Sequence, residues 1–108
     1  MASPFTVELS MPEPPAEAQA RAASDLTEPA RIVGLRLTER NPGELQYRPP
    51  VKWPFLLALW HRVSGEKMTV TFEPGEGGGT RVTISGAVVR AKHPLAADEE
   101  HWSESLTS

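Results

Sequence analysis

The sequence predicts an α+β fold in which an antiparallel sheet of about five or six strands packs on one alanine-rich helix, with a short C-terminal helix as a further element. Three observations carry that expectation. Runs of alternating apolar and polar residues recur along the chain, turn-forming Pro, Gly and Asn residues separate them, and a single alanine-rich stretch follows a proline. With 108 residues and 39% hydrophobic content, the chain has room for one small domain, expected to span residues 1–108.

The first run, FTVEL, places Phe5, Val7 and Leu9 on one face and Thr6 and Glu8 on the other, the period of a half-buried strand. SMPEPP breaks it. Pro15 suits the first turn of a helix, where its missing N–H costs nothing, and AEAQARAASDL is rich in good helix formers, so a helix is expected over residues 15–25. Its apolar side is mostly alanine, which allows close approach to a sheet. After Pro29, RIVGLRLTER is expected to resume alternation as a strand, with Val33, Leu35 and Leu37 on one face. NPGE at positions 41–44 is turn chemistry, and Leu45 and Tyr47 continue a partner strand that stops at Pro49. The run WPFLLALWHRV is too short to assign by periodicity; the hairpin-like SGE behind it favours a strand over residues 56–63.

KMTVTFEP and TRVTISG alternate cleanly on either side of PGEGGG. That glycine cluster could be a phosphate cradle or a hairpin turn. A Walker loop needs Gly-Lys-Ser/Thr opening a helix, whereas Gly79 is followed by Thr80, Arg81 and a strand pattern. A dinucleotide fingerprint needs a glycine where Thr80 stands. The cluster is therefore expected to be a loose hairpin turn, with the paired strands at the centre of the sheet. Residues 98–108 form either a partial terminal helix or a disordered tail.

Composition removes several function classes. Cysteine is absent, so the chain has no disulfide framework, thiolate zinc site or cysteine nucleophile. The N-terminal residues carry no secretory pattern, and the longest apolar run, WPFLLALW, is far below the roughly 20 residues of a bilayer span. A cytoplasmic location with no membrane span is the expectation. Net charge is −3, but residues 1–30 hold one basic against five acidic residues, residues 31–92 ten against five, and residues 93–108 none against four. Spread over strand positions, the basic middle is expected to be a solvated sheet face, and no nucleic-acid partner is expected.

The order of strand, MPEPPAEAQARAA joint, antiparallel strands including MTVTFEPGEGGGTRVTISG, and DEEHWSESL opening a terminal helix resembles the START-like polyketide-cyclase and lipid-transfer superfamily (SRPBCC, Bet v 1-like). The resemblance implies a curved antiparallel sheet that wraps a helix and encloses an apolar cavity for a hydrophobic ligand. The chain departs from that pattern in a short first helical region without large apolar residues and a short terminal helix. Its interior is then either filled by Trp53, Phe55 and Trp60, or covered by a second copy in a homodimer.

On this reading the candidate ligand-binding residues are Tyr47, Trp53, Phe55, Trp60 and His61; no cofactor is expected. Tyr47 and Arg48 can hydrogen-bond a ligand, and His61 is either a base at a cavity mouth or a structural histidine. His93 and His101 flank Asp98, Glu99 and Glu100, but eight residues turn a helix through roughly 800°, which does not bring both rings to one face. Ser103 and Ser105 lack a glycine elbow. Three functions remain: non-catalytic binding of a small apolar ligand, an interaction module using an exposed sheet face, and a cyclase or hydrolase.

Overall fold

A computed structural model of the chain describes residues 3–49, 66–88 and 94–107. These residues form an α+β structure of five antiparallel strands and three helices. The strands are β1 (Ser3–Met11), β2 (Arg36–Asn41), β3 (Glu44–Arg48), β4 (Lys67–Pro74) and β5 (Thr80–Val88), in the sheet order β1-β5-β4-β3-β2. Helices α1 (Pro15–Asp25), α2 (Thr27–Ile32) and α3 (Glu99–Thr107) pack on the sheet.

Strand alternation makes the sheet two-faced. Register places Phe5, Gly86, Met68, Tyr47 and Leu37 in one cross-strand row, Val7, Ile84, Val70 and Leu45 in the next, and Leu9, Val82 and Phe72 in the third. Apart from Gly86 and half-buried Leu37, these side chains are buried in one core with Ala18, Ala22, Leu26, Trp102 and Leu106. The opposite face carries Thr6, Ser85, Thr69 and Gln46, then Glu8, Thr83, Thr71 and Glu44. That outer face is hydroxyl-rich and charged, so the apolar stripe faces only the helices.

The β4–β5 hairpin sits inside the sheet, with Met68 opposite Gly86 and Phe72 opposite Val82, as the alternation indicated. The glycine cluster is its turn. Gly77 and Gly78 take φ of 71° and 81°, which L side chains rarely adopt, and the Gly75 N–H donates to the Gly79 carbonyl at 2.9 Å. Its last glycine is packed rather than loose: a methyl on Gly79 would stand 2.6 Å from the Met11 carbonyl oxygen of β1.

Helix α1 spans the expected residues. Its alanine side lets it lie close to the sheet, and Gln19 fastens it there. The Gln19 amide donates to the Asn41 carbonyl at 2.7 Å and accepts from the Gly43 N–H at 2.8 Å, so one side chain holds the NPGE turn that joins β2 to β3. Gly43 supplies that turn's positive φ of 77°.

The stretch from Pro29 to Leu35 departs from expectation. It does not resume the sheet; helix α2 occupies residues 27–32 first. Pro29 sits at the third helical position, where no intrahelical N–H bond is lost. The helix stops by left-handed capping: Gly34, at φ 77°, donates to the Arg31 carbonyl at 3.0 Å, and Leu35 donates to the Ala30 carbonyl at 2.8 Å. Val33 and Leu35 are both buried, yet as helix cap and post-cap residues and not as alternate positions of one strand. The strand expected over residues 56–63 lies outside the described residues.

Helix α3 realises the helical alternative for the C-terminal residues. Asp98 accepts the Glu100 N–H at 3.0 Å at its start, and Trp102 is fully buried with its indole N–H donating to the Ala96 carbonyl at 2.8 Å. Among the described residues no helix is long and apolar enough to cross a membrane.

Candidate functional site

Tyr47 is the one sequence-selected ligand residue within the described structure. Trp53, Phe55, Trp60 and His61 lie outside the described residues. Tyr47 stands on β3 between Leu37 of β2 and Met68 of β4, near the sheet end where the chain leaves at Pro49 and returns at Glu66. Alternation turns its ring inward, and only 1% of the residue is exposed.

The hydroxyl is the anomaly. It is buried and has no hydrogen-bond partner among the described residues. An unpaired buried hydroxyl costs about 1–3 kcal/mol, and buried tyrosines ordinarily find a partner. Burial pushes its pKa up to about 12, against a smaller opposing effect of the Arg40 charge. Arg40 is paired opposite Leu45, two residues from Tyr47, because an irregularity between Leu37 and Glu39 shifts the β2 register. At neutral pH the phenol keeps its proton, so Tyr47 is a hydrogen-bond donor in apolar surroundings and not a base.

A concavity lies between α2 and α3, an open groove of about 380 Å³. Its walls are Pro29 and Ile32 on one side and His101, Glu104 and Ser105 on the other, with Asp25 and Glu28 at the rim. Most of its charge is already engaged. Asp25 accepts from Arg21, and Glu28 is bonded by Arg31, which holds its carboxyl below the ordinary range. His101 is engaged too: its Nε2 lies 3.0 Å from the Pro29 carbonyl oxygen, and its ring meets Trp102 edge-on at 4.8 Å. This histidine ties α3 to α2, and Asp98 caps α3, so the acid-histidine run at positions 98–101 has structural duties. Among the described residues no three potential ligands gather to hold a metal ion.

Two contributors escaped the sequence reading. Gln19 looked like an ordinary helix former, and its contacts reach residues more than twenty positions away. Trp102 sits in a predominantly polar run, HWSESL, whose only large apolar residues are Trp102 and Leu106, spaced four apart on one helix face.

No family model matches the chain, and no curated protein matches it. Solved structures do. DR_A0006 from Deinococcus radiodurans aligns with a TM-score of 0.54 at 15% identity, over 96% of this chain and 92% of that one. TTHA0849 from Thermus thermophilus aligns with a TM-score of 0.50 at 16% identity, over 96% and 94%. Ara h 8.0201 covers the full length of both chains at 11% identity and a TM-score of 0.40. The first two show that the chain shares their fold over nearly its whole length.

Proposed function

We propose that this chain is a single START-like (Bet v 1-like) domain that binds a small hydrophobic molecule, without catalysis, between the helices and the apolar face of the sheet. The observation that carries this reading is the Tyr47 hydroxyl, buried and unpaired among the described residues at the inner end of the sheet. A ligand with one polar acceptor would satisfy it, while the adjacent Leu37 and Met68, and Phe5 farther along the same row, offer apolar contact. Trp53, Phe55, Trp60 and His61 are proposed as the remaining contacts, contributed by the segment that joins β3 to β4.

Titration with the apolar dye N-phenylnaphthylamine tests the reading. The expected result is saturable binding of one dye per chain, with a change in tryptophan emission that survives in a Trp102→Phe background and therefore reports Trp53 or Trp60. A linear, non-saturating response would remove the proposal. Mass measurement in the same buffer separates this outcome from dye uptake at a subunit interface.

A further inference from the structure

The outer face of the sheet holds a second feature, unrelated to the apolar interior. Arg36 on β2 is paired directly opposite Arg48 on β3. One step beyond the Tyr47–Met68 pair, Arg48 neighbours Lys67 on β4. Because Leu37, Tyr47 and Met68 point into the core, these three cations point to the opposite side, across strands about 4.8 Å apart. Like charges directly opposite one another destabilise a sheet. None of the three has an ion-pair partner among the described residues, whereas Arg21 and Arg31 on the helices are both paired.

The next outward row supplies hydroxyls. Thr69 and Ser85 face each other there, half-buried, and neither forms a side-chain hydrogen bond within the described structure. Beside Lys67 the row continues into Ala87, whose small side chain leaves the shelf open. Two guanidinium forks, one ammonium and two uncommitted hydroxyls on adjacent strands offer the positive charge and the hydrogen-bond donors that a phosphate group requires.

We propose that Arg36, Arg48 and Lys67, with the hydroxyls of Thr69 and Ser85, form a binding site for a phosphate group on the outer face of the sheet. The phosphate is either that of a small soluble molecule or that of a lipid headgroup, and the two are told apart by the probe that binds.

Amide NMR shifts are followed while inorganic phosphate is added at low ionic strength up to about 20 mM, enough to fill a site with a dissociation constant of about 1 mM. In parallel, the chain is sedimented with phosphatidylcholine vesicles with and without about one-fifth phosphatidic acid. Saturable shifts at Arg48, Lys67, Thr69 and Ser85, weakened about tenfold or more in Arg36→Gln/Arg48→Gln, establish the site for a soluble phosphate. Sedimentation only with phosphatidic acid, lost in the same variant, establishes it for a headgroup. The double variant should also melt higher than the parent without anion, since it removes the like-charge pair. Absence of both binding responses, or binding that the double variant leaves unchanged, overturns the proposal; Lys67→Gln serves as the second variant if the first misfolds.

Discussion

Replacing Tyr47 with Phe isolates the free energy of one oxygen atom. The ring and its packing against Leu37 and Met68 are kept, and only the unpaired hydroxyl is removed. Burying such a group costs about 1–3 kcal/mol, so Tyr47→Phe should stabilise the ligand-free protein by about 1–2 kcal/mol. For a chain of this size that raises Tm by roughly 4–8 °C per kcal/mol. The same change should weaken an apolar ligand bearing a polar acceptor by about 1 kcal/mol, near fivefold in affinity. An alkaline signature accompanies it. The folded pKa is raised to about 12, so between pH 10 and 12 the unfolded phenol is ionised while the folded one is not. Stability should therefore be insensitive to this group below pH 10 and fall by about 2–3 kcal/mol in total as pH rises to 12. Tyr47 is the only tyrosine, so this slope should vanish in the Phe variant. Chemical denaturation of both proteins at pH 7 and at several alkaline values reads the stability changes, a thermal melt the Tm shift, and ligand titration of both the affinity change. Loss of more than about 1 kcal/mol in Tyr47→Phe at pH 7 would mean that the hydroxyl is already bonded and has no need of a ligand acceptor.

Further substitutions probe the frame around the site. Gln19→Ala removes the clamp on the β2–β3 turn, leaving the Gly43 N–H unpaired by protein, and should cost about 1–3 kcal/mol in denaturant melts. Trp102→Ala should cost about 3–5 kcal/mol, whereas Trp102→Phe keeps much of the ring volume and should lose far less; equal losses would contradict the packing role of α3. Gly34→Ala forces a left-handed backbone on a residue with a Cβ and should cost about 1–2 kcal/mol, while the neighbouring exposed Ile32→Ala stays within about 0.5 kcal/mol.

Much of this architecture was legible because local chemistry and tertiary structure agree. The 68–73 and 81–85 alternation, the Pro15 helix start and the NPGE turn each specify one local structure, and the fold uses all of them. Residues 27–35 misled because Val33, Leu35 and Leu37 satisfy a strand period while Gly34 and Pro29 satisfy a helix's stop and first turn. The helix prevails because its capping pair of hydrogen bonds and the burial of Ala30, Val33 and Leu35 occur together. The site was only partly legible. Alternation pointed Tyr47 inward, but that its hydroxyl would lack a partner depends on what surrounds it in three dimensions. The Arg36–Arg48 pairing is likewise a matter of register, which a bulge alters and composition cannot express.

Whether an apolar ligand lies against Tyr47 on the inner face of the sheet is read from intermolecular NOEs between a bound apolar probe and assigned side chains. With N-phenylnaphthylamine at saturation, NOEs are expected from the probe to the Tyr47 ring and the Met68 methyl. A saturated complex whose NOEs reach Ile32 and Ser105 in the α2–α3 groove, and none at Tyr47 or Met68, would contradict it.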